Sequence, residues 1–294
     1  MTKITTAIFP IGGLGTRFLP ATKSLPKEMM PIANKPLIQY AFEEAKNCGI
    51  EKFIFITGRN KNAIANHFDH AYELESVLDE KLKVQELNKV IGWMPQAGQI
   101  AFIRQQKPLG LGHAVWCAKN YIAPNEAFAV ILADELLMPP PHNQTQNSQL
   151  AKMIEKFQQS PKNSSIIGVD EVDASQVNNY GIIATENNSD RIIDMIEKPT
   201  IDKAPSNLAI NGRYILQPQI FDYLEKFQIG NGGEIQLTDA LKSMCQESSF
   251  YFIKNTQSRF DCGSVVGYLE ANIAFALNDE KISDKVKKIL NKYI

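Results

Sequence analysis

From Phe9 to Met30 the chain reads Phe-Pro-Ile-Gly-Gly-Leu-Gly-Thr-Arg-Phe-Leu-Pro-Ala-Thr-Lys-Ser-Leu-Pro-Lys-Glu-Met-Met. Glycines at 12, 13 and 15 let the backbone approach a phosphate chain and aim N–H groups at it. Cations follow at Arg17, Lys23 and Lys27, within a loop rather than along a solvated helix face. That placement favours phosphate binding over a bare glycine turn. Two standard phosphate motifs fail here. Gly13-Leu-Gly15-Thr-Arg-Phe18 ends in phenylalanine where a dinucleotide fingerprint needs a small residue, so NAD is disfavoured. A Walker loop is absent because no Gly-x-x-x-x-Gly-Lys-Ser/Thr string occurs.

Asp134 closes the longest apolar run of the chain, Ala127 to Ala133. A carboxylate there sits at the carboxyl end of a sheet strand, where open α/β sheets bind ligands. Taken alone, it serves equally well as a buried acid capping a turn. His67 and His70 flank Asp69, but no third and fourth ligand has suitable spacing, and a solvated helix face is the simpler reading. Cys262 has no histidine partner nearby and reads as a small packed residue.

The elements that position these groups alternate in type. Strands are predicted at Thr5 to Phe9, Lys52 to Thr57, Ile100 to Gln105 and Phe128 to Leu132. Between the first two, Leu37, Ile38, Ala41, Phe42 and Ala45 recur at helical spacing after Pro36, and Gly49 stops the helix. Glu73 to Gly98 interrupts the alternation as a partly helical insertion whose purpose is not readable. Pro139 to Gln146 reads as a surface loop and a soft boundary. Beyond it, Ser165 to Val169, Gly181 to Thr185, Arg191 to Ile196 and Asn211 to Leu216 follow without long helices between them, which suggests antiparallel or mixed additions to the same sheet. From Glu280 onward, Ile282, Val286, Ile289, Leu290 and Tyr293 share one helical face, expected to dock on the chain's own core or on a sister subunit.

The 294 residues carry 31 Lys plus Arg against 32 Asp plus Glu, a net charge of -1 with no basic block. Nucleic acid and membrane surfaces are therefore disfavoured as partners, and small molecules favoured. The seven-residue apolar run is far short of the ~20 residues a membrane span needs. Lys3 alone precedes a stretch broken by Pro10 and the glycines, which does not read as a secretory signal. Cys48, Cys117, Cys245 and Cys262 are scattered and fit reduced thiols in a cytoplasm.

The glycine loop with Pro26-Lys27-Glu28-Met29 closely resembles the opening of the bacterial UTP:glucose-1-phosphate uridylyltransferases, the UDP-glucose pyrophosphorylases. Similar strings follow in the expected order: Lys35 to Tyr40, Gly110 to Ala114, Glu197 to Pro199, Asn211 to Tyr214, Gly233 to Asp239 and Phe260 to Gly263. Together they cover roughly residues 4 to 275. The resemblance implies an α/β, Rossmann-like nucleotidyltransferase fold: a mixed, mostly parallel central sheet flanked by helices, with sugar-binding additions. It implies one domain over 1–294, with a nucleotide-binding half (1–138), a sugar-binding and second metal-ligand half (139–275) and a C-terminal helix (276–294).

The implied reaction joins UTP and glucose 1-phosphate, giving UDP-glucose and pyrophosphate with Mg2+ as cofactor. The phosphate monoester has a second pKa of about 6, so the attacking oxygen is already ionised at neutral pH and no general base is required. Two unit charges about 4 Å apart repel by about 4 kcal/mol at an effective dielectric near 20, so cations must line the site. On this reading Gly12, Gly13, Gly15 and Thr16 cradle the nucleotide, Arg17 and Lys27 face the triphosphate, and Lys198 faces the sugar phosphate. Asp134 and Asp261 supply hard oxygen ligands to the metal. Glu28, Gln105 and Gly110 match positions near the pyrimidine, while Gly181 and Glu197 match positions near glucose. The second Gly-Leu-Gly, at 110–112, should open a helix running through Val115, Ala118 and Ile122.

Related enzymes often carry glycine or proline just before the first aspartate, where this chain has Ala133, and a residue other than Glu135 after it. Strand alternation turns Glu135 away, so it is left out of the site. Similar enzymes are homodimers or homotetramers. A thymidylyltransferase for the same sugar phosphate is the nearest rival, but its loop usually has Ser-Lys-Gln where this chain has Pro26-Lys27-Glu28. A sensor of nucleotide sugars without catalysis is the other, and it has no use for a second metal ligand.

Overall fold

The computed structural model describes residues 3–138, 148–187 and 189–293, so the expected loop and boundary at 139–146 lie outside the described residues. β1 (Thr6–Ile11) leads into the glycine loop, and a short hairpin, β2 (Pro31–Ile32) with β3 (Lys35–Pro36), returns the chain to α1 (Leu37–Asn47). Gly49 follows that helix at φ 83°, its N–H bonded to Lys46 O, as a left-handed helix stop requires. Next come β4 (Lys52–Thr57) and α2 (Asn62–His67). The insertion folds as two helices, α3 (Tyr72–Glu80) and α4 (Val84–Ile91), neither of which buries a residue.

β5 (Ile100–Arg104), α5 (Leu111–Trp116), β6 (Phe128–Ile131) and β7 (Glu135–Leu137) complete the first half. The second half runs α6 (Gln149–Gln159), β8 (Ser165–Glu171), β9 (Gly181–Thr185), β10 (Arg191–Glu197) and β11 (Leu208–Leu216). It continues with α7 (Ile220–Leu224), α8 (Leu237–Cys245), β12 (Phe250–Lys254), β13 (Arg259–Asp261), α9 (Val265–Asn278) and α10 (Ser283–Leu290).

Nine of these strands form one mixed sheet in the order β5-β4-β1-β6-β11-β8-β12-β10-β9. The four strands of the first half pair in parallel, whereas β11 runs antiparallel to both β6 and β8, and β10 runs antiparallel to β12 and β9. Because successive side chains point to opposite faces, the apolar runs supply two cores at once. Ile8, Ile54, Ile56 and Val130 join one core, with Val115, Leu224 and Leu241 from the helices above it. Ala7, Phe9, Phe53, Phe55 and Ile131 join the other, where Phe42, Ile64 and Met153 cover them.

Outside the main sheet, β7 and β13 pair antiparallel and set Asp261 opposite Glu135. Leu136 and Phe260 of that ladder pack with Ile32, Leu37 and Phe275, so α9 holds it in place. α9 runs through residue 276, where a separate terminal helix was expected to begin. α10 leans on α9 without burying a residue, and Ile289 and Tyr293 stay exposed. Of the two dockings expected for its apolar face, on the chain's own core or on a sister subunit, the first is met only by half-burial of Val286 and Leu290.

Candidate active site

The crest of the glycine loop is open: Gly13, Leu14, Thr16 and Arg17 are exposed, while Gly12 and Phe18 at its feet are buried. Gly15 adopts φ 66°, and its carbonyl accepts a hydrogen bond from Thr22 Oγ1 at 2.7 Å. A side chain there would be strained by the left-handed backbone and pressed against Thr22 and Lys27 at 3.2–3.3 Å. At Gly12 an added Cβ would meet Gln105 Oε1 at 2.4 Å. Glycine is thus required by the backbone at Gly15, while at Gly12 it leaves the room that the Gln105 amide oxygen occupies. Lys23 stands exposed.

Asp134 follows β6 and receives Lys27 Nζ on Oδ2 at 2.5 Å. Burial pushes the Asp134 carboxyl up, but the Lys27 charge and hydrogen bond outweigh it and leave the group below its ordinary value. Burial likewise pulls the Lys27 ammonium down, and Asp134 and Glu28 more than offset that. Cys262 N–H donates to Asp134 O at 2.8 Å, and Gly263 N–H donates to Asp261 Oδ1 at 2.9 Å. Arg17 Nη1 reaches Gly263 O at 3.4 Å.

One point records the convergence. A Cβ built on Gly263 would lie 2.9 Å from Asp261 Oδ1, 3.3 Å from Asp134 Oδ2 and 3.5 Å from Arg17 Nη1. Residues from the two ends of the chain therefore border a single small volume. Two hard-oxygen carboxylates facing one point suit a divalent cation that completes its shell with phosphate oxygens and water. Glu135 stays out of that volume, because its Oε2 accepts from Arg259 Nε at 2.8 Å. Cys262 is fully buried, and burial pushes its thiol up to about 12, which fits a packed residue and not a nucleophile.

Gln105, just beyond β5, is buried beside Gly12, and its Nε2 donates to Gly110 O at 3.1 Å. Gly110 itself holds φ 106° and opens α5, which is shorter than expected and gives way to a 3-10 turn at Lys119–Tyr121. Ile235 N–H donates to Leu109 O, and Gly112 N–H donates to Ile235 O, each at 2.8 Å. Glu28 is buried under the loop with one oxygen 2.6 Å from Lys61 Nζ; burial raises its pKa despite Lys61 and Lys27. Its Oε1 has no hydrogen-bond partner among the described residues.

The expected sugar residues gather on the far side of the same segment. Thr238 Oγ1, at the start of α8, donates to Glu197 Oε2 at 2.6 Å, and a Cβ on Gly181 would sit 3.0 Å from Thr238 Oγ1 and 3.1 Å from Glu197 Oε2. Lys198 is held at φ 47° with its ammonium 3.5 Å from Glu197 Oε1 and its side chain 44% exposed.

The nucleotidyl transferase family profile matches residues 7–277. UTP–glucose-1-phosphate uridylyltransferase of Bacillus subtilis is 44% identical over 289 residues, covering 97% of this chain and 96% of its own. The chain belongs to the bacterial UTP–glucose-1-phosphate uridylyltransferase family. Solved structures agree: UDP-glucose pyrophosphorylase from Acinetobacter baumannii superposes with a TM-score of 0.87 at 37% identity, covering 99% of this chain and 100% of that one. A UTP-bound form from the same organism gives 0.87 at 36% identity, covering 98% of each.

Four residues of this uridylyltransferase-family site escape a reading of the sequence. Arg213 of β11 is 1% exposed; it pairs with Glu44 at 2.7 Å and donates to Leu132 O at 3.1 Å and Glu135 O at 2.8 Å, clamping the turn that carries Asp134. Lys61, Thr238 and His113 hold Glu28, Glu197 and Gln105 in turn. Arg213, His113 and Thr238 all lie inside strings that resemble the family, which is the signal that could have found them. Lys61 lies in none. His67 does not occupy a solvated face: it stacks on Trp93 at 4.8 Å and bonds Gln39 Oε1 at 3.0 Å.

Proposed function

We infer that this chain transfers the uridylyl group of UTP to α-D-glucose 1-phosphate, releasing pyrophosphate and forming UDP-glucose. The observation that carries the reading is the convergence of Arg17, Asp134 and Asp261 on Gly263, in a chain matched end to end by uridylyltransferases. A phosphate oxygen of glucose 1-phosphate attacks the α-phosphorus of UTP in line. The bond from that phosphorus to the β-phosphate oxygen breaks, and the electron pair leaves with pyrophosphate.

Lys27 and Arg17 neutralise the triphosphate, and the glycine-loop amides with Thr16 orient it. Asp134 and Asp261 would hold Mg2+, which supplies charge neutralisation between the phosphates. Gln105, Gly110 and Glu28 line the base. Glu197 and Gly181 receive the glucose ring, and Lys198 its phosphate. Neither the loop nor the acids offer a general base, and the ionised monoester needs none.

We read 1–294 as one domain because β6 of the first half pairs directly with β11 of the second. A cytoplasmic setting fits four free cysteines. A homodimer or homotetramer fits the exposed Val266, Leu269 and Ile273 of α9. Pyrophosphate release from glucose 1-phosphate, with Mg2+ and either UTP or dTTP, tests the reading. UTP should be turned over far faster; equal rates favour the thymidylyl reading, and UDP-glucose binding without release in either case identifies a sensor.

A further inference from the structure

Gln105 is 5% exposed, so the partners of its amide are set mainly by the protein around it. Its nitrogen lies 3.1 Å from Gly110 O and 3.1 Å from His113 Nδ1. A backbone carbonyl can only accept, so the NH2 end must face Gly110, and its second proton is directed at His113. His113 Nδ1 is then an acceptor, which puts the ring proton on Nε2. Burial lowers the pKa of His113, which keeps that lone pair free at neutral pH. The ring is braced by Trp116, stacked at 5.8 Å, and by Phe227 at 6.1 Å.

With both amide protons committed, Oε1 is the face left for a ligand, and it points to the Gly12 side, where a Cβ would meet it at 2.4 Å. An oxygen there accepts the N3–H of a uracil-type base and opposes the bare N3 of a cytosine-type base. Flipping the amide would set two oxygens against each other at Gly110 and would require the His113 proton to move from Nε2 to Nδ1, the nitrogen that Cys117 Sγ also approaches at 3.9 Å.

We propose that His113 is a positioning residue that locks the Gln105 amide with its oxygen toward the base, and thereby makes the site select a pyrimidine bearing N3–H. The proposal rests on the assignment of Gln105 to the base. Gly110 opposes the flip as a fixed acceptor; His113 adds the cost of exchanging its ring proton between the two nitrogens, which its removal takes away.

The test compares His113→Leu, which removes the acceptor, with His113→Asn, whose Oδ1 stands at the same branch point as the imidazole Nδ1. The readout is kcat/KM for UTP and for CTP, with KM for glucose 1-phosphate as internal reference. In His113→Leu the UTP:CTP preference should fall about tenfold, an effect the size of one hydrogen bond, with KM for glucose 1-phosphate unchanged. His113→Asn should restore it. Equal losses on UTP and CTP, or a His113→Asn variant that behaves like His113→Leu, overturns the proposal. Gln105→Ala separates the layers: an unchanged KM for UTP sinks the base assignment and the proposal with it. A raised KM there with parental discrimination in His113→Leu sinks the role of His113 alone.

Discussion

Lys27 Nζ lies 2.5 Å from Asp134 Oδ2, so the glycine loop and the end of β6 close on each other through one ion pair. The pair joins the residues assigned to the triphosphate and to the metal. Asp134→Asn keeps the shape and removes the charge where phosphate charge develops. Turnover should fall at least about 100-fold in steady-state assays. A near-normal rate would remove Asp134 from the mechanism.

Lys198 Nζ lies 3.5 Å from Glu197 Oε1, and its backbone N–H donates to Tyr180 O at 2.9 Å, beside the residues assigned to the sugar. Lys198→Ala should therefore raise KM for glucose 1-phosphate several-fold while leaving KM for UTP near the parental value. Initial rates over a grid of both substrates decide it; equal losses for the two would contradict its placement beside the sugar phosphate.

The buried Arg213 pairs with the half-buried Glu44 and is itself bonded to the carbonyls of Leu132 and Glu135. Arg213→Met removes the guanidinium's hydrogen bonds to two carbonyls and leaves the half-buried Glu44 unpaired, which should cost about 1–3 kcal/mol, seen as a lower urea midpoint. Adding Glu44→Leu should recover much of that stability without recovering activity, because the turn bearing Asp134 would still lack its clamp. Full recovery of turnover in the double variant would show that the clamp does not position Asp134.

Burial lowers the pKa of His67, while Glu43 nearby pulls it back up. The folded protein then holds this ring neutral at a pH where the unfolded chain protonates it, so the unfolded state binds more protons. Stability is complete above the unfolded value of about 6.5 and declines as the pH falls below it. Denaturant midpoints measured from pH 7.5 down to 5.5 should drop more steeply in the parent than in His67→Gln; parallel slopes would refute this.

The sheet's first half was legible because β1, β4 and β6 are buried on both faces and so read as nearly unbroken apolar runs, with the edge strand β5 half exposed beside them. β4 matches the expected Lys52 to Thr57 residue for residue. The acids and the loop were legible through strings of specific residues. What stayed hidden was pairing across long separations. Glu28 with Lys61 and Arg213 with Glu44 are contacts no local pattern encodes, and an arginine within a strand gives no sign in sequence that it is 1% exposed. The tail was legible only in part for a related reason: helical spacing shows that α10 has an apolar face, but not what that face meets.

The rungs joining Leu109 and Gly112 to Ile235 have a last consequence. Three residues beyond Ile235, Thr238 holds the carboxylate assigned to the hexose, so the compartments proposed for base and sugar would share a party wall of a few peptide units. A residue inserted into that wall would be felt on both sides, and affinities for the two substrates would drift together rather than one at a time.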